Sequence, residues 1–159
     1  KGLAFSKNKP CIGISSLEAL AYGFDNFPEE CIIVPSIDAR RGNVYNAVFS
    51  TKSGNHPDRL CSDRLISAAE LAEELIKSNK KAVICGDGAK TIEKIIAEDK
   101  DRYINIVKAP PALLYPNAYA AALCALEKYS AGKYISDKDL SPIYLRPTQA
   151  ERELCRSKE

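Results

Sequence analysis

Apolar residues fall at two periods along this chain, and the points where the period changes divide it into elements. Leu17, Leu20, Ala21 and Phe24 recur at helical spacing. Ser15 followed by Glu18 has the form of a capping box, so a helix is predicted from Ser16. KPCIGI at 9–14 predicts a short strand before it. Ile32-Ile33-Val34 opens a strand reaching about Ala39, and residues 44–50 alternate so that Tyr45, Ala47 and Phe49 share a face. Residues 59–66 form a third strand, more polar and suited to a sheet edge.

The second half changes period again. Ser67-Ala68-Ala69-Glu70 is another capping box, and Ala68, Leu71, Ala72, Leu75 and Ile76 make a helical stripe. Residues 82–85 read as a short buried strand ended by Gly86-Asp87-Gly88, and Ile92, Ile95 and Ile96 mark the next helix. Residues 103–107 are the last strand, after which Pro110 and Pro111 force a loop. Asn117 caps a helix over 118–129 that Gly132 stops. Three hairpin-linked strands, then helix, strand, helix, strand, helix, predict an α/β fold with a mixed five-stranded sheet and helices on both faces. That is the ribonuclease H-like arrangement, which also builds each half of actin-like folds.

Composition narrows this picture. The 159 residues are 45% apolar and 28% charged, enough for one domain with a core. Formal charge is only +2, and the basic residues are interleaved with Asp and Glu, so strong nucleic-acid binding by the domain alone is not expected. The longest apolar runs, such as 118–126, are far short of a bilayer span, and Lys1-Gly2-Leu3 begins nothing like a signal peptide. A cytoplasmic protein is expected. A chain without methionine that opens on Lys reads as part of a longer protein, with Lys1-Gly2-Leu3-Ala4-Phe5 the tail of an earlier helix. The six cysteines, Cys155 among them, include no CxxC, and the one histidine, His56, lies in a turn-like HPD. Buried reduced thiols are expected rather than a metal site.

Few residues offer chemistry. Gly86-Asp87-Gly88 lies between a strand and a helix, where amides could cradle phosphate, but it lacks the longer glycine pattern and the Lys of a P-loop. A strand-to-helix turn is the simpler reading. Asp38 ends a buried-looking strand, a position suited to metal or general-base duty, yet Arg40 and Arg41 follow where further carboxylates would be needed. A neighbouring guanidinium argues for structure or recognition over proton transfer. Ser15 and Ser16 read as helix caps, and Arg146 in YLRP as a surface residue or a meeting point for an anion or a partner carboxylate.

Taken in order, GISSLEALA (13–21), IDARRGNVYNAVF (37–49), GDG (86–88) and SPIYLRP (141–147) resemble the TsaB family. The resemblance implies a non-catalytic scaffold and activator in bacterial synthesis of threonylcarbamoyladenosine at position thirty-seven of tRNA. It implies two ribonuclease H-like lobes of the actin-like kind, with residues 1–30 ending the first and 31–159 forming the second. The family's first lobe carries an IDTS-like strand and a GPGSFTGLR segment, neither found here. Implied partners are the catalytic subunit TsaD and the ATPase TsaE; a homodimer is possible, tRNA is met only through the complex, and no cofactor is implied. ATP-hydrolysing relatives place an Asp followed by glycines at the turn where this chain has Asp38-Ala39-Arg40-Arg41-Gly42. Asp38, Arg40, Arg41, Gly42, Tyr45 and Arg146 thus become candidates for bracing the lobe or meeting a partner. The competing readings are an actin-like ATPase or phosphotransferase and a glycoprotease-like peptidase.

Overall fold

The computed structural model describes residues 1–25, 27, 29–51 and 56–146. In chain order they form α1 (Gly2–Phe5), α2 (Ser16–Ala21), β1 (Ile32–Asp38), β2 (Asn43–Asn46), β3 (Phe49–Ser50), β4 (Asp58–Arg59), β5 (Arg64–Ser67), α3 (Ala68–Lys77), β6 (Ala82–Cys85), α4 (Ala89–Ile96), β7 (Ile106–Lys108) and α5 (Ala118–Ser130). Short 3-10 turns follow α2 at Tyr22–Phe24 and precede α5 at Pro111–Leu113.

One mixed sheet organises these elements around β1. β2 and β3 run antiparallel to it in a single continuous register, Ser36 opposite Asn46 and Ile33 opposite Phe49. The two are halves of the predicted 44–50 strand. The ladder breaks between them at Pro35, which has no N–H to donate. The side chain of Asn46 fills the gap, its Nδ2 donating to Pro35 O at 3.0 Å and to Ala47 O at 2.8 Å. β4 and β5 are likewise halves of the predicted 59–66 strand. Arg59 faces Phe49 while Ser67 faces Asn43, so the outer strand carries two more residues than the inner one over that span. The excess is taken up at a bulge, where Val48 O accepts from both Leu60 N and Cys61 N at 2.8 and 3.3 Å. On the other side β6 pairs parallel with β1, and β7 parallel with β6.

With each split strand counted once, the spatial order is third, second, first, fourth, fifth, and the mixed five-stranded, ribonuclease H-like α/β fold expected from the sequence is present. Alternation along the strands sends Ile32, Val34, Val44 and Ile84 to one face, where α3 and α4 contribute Leu71, Leu75 and Ile92. The opposite face collects Ile33, Ala47, Phe49, Val83 and Cys85 with Leu17, Leu20, Ala21 and Phe24. Tyr45 joins Ala47 and Phe49 there, as their alternation requires. A fully buried Ile or Phe contributes about 1.5–3 kcal/mol, so these two clusters supply most of the driving force. α5 forms an outer layer, burying Ala120 and Cys124 against Tyr22.

The caps show how local signals were used. Ser67 and Glu70 form the full reciprocal capping box, and Asn117 caps α5 by accepting from Ala120 N at 2.8 Å. The Ser15 box is half made. Ser15 Oγ accepts from the amides of Leu17 and Glu18 but donates to Asp63 at 2.5 Å, while Glu18 turns to Lys128 at 2.5 Å and Arg59 at 3.8 Å. Its carboxylate thereby ties α2 to α5 and to the sheet edge. KPCIGI is not a strand: only Cys11 pairs, exchanging hydrogen bonds of 2.8 and 2.9 Å with Ile135, since Pro10 cannot donate to a ladder. The last strand starts later than expected, at Ile106, because Tyr103 lies in a turn and donates from its hydroxyl to Glu73 at 3.1 Å. No helix among the described residues is long and apolar enough to cross a membrane.

Candidate functional site

β1 and β6 run parallel, so their C-terminal ends lie together, and the two turns singled out in the sequence emerge at this corner. The first is Ala39-Arg40-Arg41-Gly42, which reverses the chain from β1 into β2. Ala39 N donates to Asn43 O at 3.0 Å and Asn43 N to Arg40 O at 3.1 Å, closing a tight hairpin. Arg40, Arg41 and Gly42 all adopt positive φ, at 66°, 56° and 74°. For Gly42 this is without cost, but each arginine bears a penalty on the order of 1–2 kcal/mol. The conformation is held by its surroundings. Asp38 Oδ1 accepts from Arg40 N at 2.9 Å, and Asn43 Nδ2 donates to the carbonyls of both Arg40 and Arg41 at 3.4 and 3.3 Å. Gly42 O accepts from Ala68 N at 2.8 Å, joining the turn to the start of α3.

The second turn is Gly86-Asp87-Gly88, and it is pressed onto β1. A Cβ on Gly86 would lie 2.1 Å from Ser36 O, and one on Gly88 2.8 and 2.9 Å from Ser36 C and O. Gly86 also has φ of 89°. Both glycines are therefore required by close approach of backbone to backbone. Their amides are engaged within the protein, Gly86 N donating to Leu114 O at 2.7 Å and Gly88 N to Ser36 O at 3.0 Å. Asp87 completes the joint by accepting from Asp38 N at 3.1 Å.

The structure thus brings Asp38, Arg40, Arg41 and Gly42 to one corner, and Arg146 reaches it from the C-terminal segment, donating to Ala39 O at 3.5 Å. Tyr45 is elsewhere, half-buried on β2 opposite Ile37 and Leu65. Asp38 and Arg40 approach only to 4.0 Å, and the Arg40 side chain is 88% exposed, so the main work of Asp38 is to hold the turn's amide. Sequence reasoning missed Asp87, Asn43 and Ser36. An Asp between two glycines next to a strand end is a signal for a backbone-accepting carboxylate, but its acceptance from a strand 49 residues away is not local information.

The remaining reactive groups are muted. Burial pushes the Cys31 and Cys85 thiols up, and burial reinforced by the Glu18 charge pushes Cys124 up to about 11, so all three are neutral thiols near neutral pH. Cys155 and Pro147, at the end of the YLRP segment, lie outside the described residues. Ser15 is engaged as the cap of α2, accepting from Leu17 N and Glu18 N while donating to Asp63. Among the described residues no group of three or more His, Cys, Asp and Glu side chains could hold a metal ion.

Comparison with known proteins agrees with this architecture. The chain is 28% identical over all 159 residues to the tRNA threonylcarbamoyladenosine biosynthesis protein TsaB of Bacillus subtilis strain 168, and spans 66% of that protein's length. Two solved structures share the fold. One is an uncharacterized protein described by its similarity to the peptidase YeaZ from Pseudomonas aeruginosa, with TM-score 0.70, 20% identity, and coverage of 91% of this chain and 63% of that one. The other is YeaZ from Pseudomonas aeruginosa, with TM-score 0.68, 19% identity, and coverage of 90% and 64%. A family model described as TsaD, tRNA N6-adenosine threonylcarbamoyltransferase, matches residues 1–154. A match over nearly the whole chain, joined to its full-length likeness to TsaB, shows that this chain belongs to the TsaD threonylcarbamoyltransferase family as a TsaB-type member.

Proposed function

We propose that this chain is a scaffold and activator subunit in tRNA threonylcarbamoyladenosine synthesis, pairing with a TsaD-type catalytic subunit and not carrying out the transfer itself. TsaE would join that assembly, and tRNA would be met there, in the cytoplasm. Residues 1–30 would close the first actin-like lobe and 31–159 form the second. One observation carries the non-catalytic half of this reading. At the corner where an actin-like relative would grip phosphate, the amides of Gly86 and Gly88 already donate to Leu114 O and Ser36 O. Two arginine side chains also occupy the facing turn, where close backbone approach of a phosphate would need glycine.

Reconstitution tests the proposal. The full-length protein is mixed with its TsaD-type partner, and threonylcarbamoyladenosine formation on tRNA is followed. Stimulation that requires both proteins, with none from this one alone, is the expected result. Formation of no complex, or modification by the partner at full rate without it, would overturn the reading. The matching family model carries the name of a transferase, and this favours a second reading in which the chain has activity of its own. Transfer or nucleotide hydrolysis by the isolated protein would establish that reading.

A further inference from the structure

The hairpin at 39–42 is built with residues that its backbone disfavours. A tight turn with consecutive positive φ values is served best by Asn and Gly. Here Arg40 and Arg41 occupy two of those places, and both are exposed. Neither the fold nor the joint below needs a guanidinium there, because the turn is held by backbone amides, Asp38 and Asn43. Strain of this kind persists where the side chain itself has a use. Asp38 Oδ1 is turned onto Arg40 N and Asp87 onto Asp38 N, while Asp38 Oδ2 comes only to 4.0 Å from Arg40 Nε, whose side chain stays exposed at the tip of the turn. Arg146 adds a third guanidinium at its base.

We infer that Arg40 and Arg41 form an anion-recognition tip that contacts the phosphate backbone of RNA. Planar guanidinium forks pair with phosphate through two parallel hydrogen bonds, and a rigid turn presents them without loss of backbone entropy. The inference rests on the role in tRNA modification proposed above, which brings a polyanion to the assembly. With a formal charge of only +2 the chain has little long-range field of its own, so the contact is confined to these placed arginines within the assembly. The contact would position the RNA and read no sequence.

The test uses the full-length protein assembled with its TsaD-type partner, and follows tRNA binding as a function of salt. The variant is Arg40→Asn with Arg41→Asn, since Asn accepts the turn's backbone. Loss of two phosphate contacts should make the plot of log affinity against log salt shallower by about 1.4–1.8. The same variant should melt at a higher temperature, because strain is relieved, whereas a folding defect would lower the melting temperature and the amount of complex without making the slope shallower. Arg40→Lys with Arg41→Lys should restore most of the salt slope. An unchanged slope in the Asn variant, with the complex intact and modifying tRNA, would overturn this inference while leaving the proposed function standing. Loss of complex formation in the Asn variant would overturn this inference and assign the tip to a carboxylate-bearing protein partner instead. Failure of the wild-type proteins to assemble would count against the proposed function and this inference together.

Discussion

The two turns at the end of β1 both use glycine and both touch Asp38, yet they are opposite in kind. In Gly86-Asp87-Gly88 the missing side chains are a matter of space: β1 lies so close that a Cβ on Gly86 would sit 2.1 Å from Ser36 O, far inside any tolerable contact. In Ala39-Arg40-Arg41-Gly42 there is room to spare, since nothing lies within 4 Å of a Cβ on Gly42, and glycine meets only the demand of a positive φ. The inner turn is part of the core and joins β6 to β1. The outer turn is a surface feature that the core merely anchors. A glycine motif beside a strand end can therefore serve packing, while the residues free to act lie in the turn that looks less like a binding loop.

Gly86→Ala should break this contrast most severely. It combines a 2.1 Å approach to a backbone carbonyl with φ of 89°, and neither β1 nor the turn can yield without losing the hydrogen bond from Gly88 N to Ser36 O. A loss of about 4 kcal/mol or more is expected, seen as failure to fold or a large drop in the midpoint of urea unfolding. A stable Gly86→Ala protein would mean that the turn is not pressed onto β1.

Raising the pH should act next most strongly, and on the buried side of the comparison. Cys85, immediately before Gly86, is held neutral by burial, and Cys31 and Cys124 are raised as well. A thiol with a folded pKa above its unfolded one contributes fully below the unfolded value of about 8.5, and its contribution is lost as pH rises from there. For Cys124 the loss continues until about pH 11. Unfolding in reductant should show stability nearly flat from pH 6 to 8 and falling above that, by up to about 1.4 kcal/mol per pH unit for each such thiol. Cys85→Ala should flatten part of the fall. A stability that rises between pH 8.5 and 10 would contradict the burial of these thiols.

Gly42→Ala should do least. With open space around the Cβ, only the backbone conformation is penalised, by about 1 kcal/mol. An effect as large as that of Gly86→Ala would show that the outer turn is also a packing element.

Much of the fold was legible because its signals are local. Strand alternation separated the Tyr45, Ala47, Phe49 face from that of Val44 and Val48, and Ser67, Glu70 and Asn117 marked helix starts by chemistry that needs only near neighbours. What was not legible depends on distant partners. Pro35 interrupts a central strand that its neighbours make look continuous, and the repair comes from Asn46 across the ladder. Glu18 has the spacing of a capping box but is taken by Lys128, 110 residues away. The same limit applies at the corner. Asp38, Arg40, Arg41 and Gly42 announced a charged turn, while the role of Asp87 and the closeness of Gly86 to Ser36 depend on how β6 is laid beside β1.

The central claim is that this corner is a closed structural joint whose amides serve the protein. Titrating the full-length protein, free of partners, with Mg-ATP in a calorimeter tests it most directly. The account predicts no saturable heat and no nucleotide hydrolysis. Stoichiometric binding in the micromolar range, abolished by substitution of Asp87 with the fold intact, would contradict it.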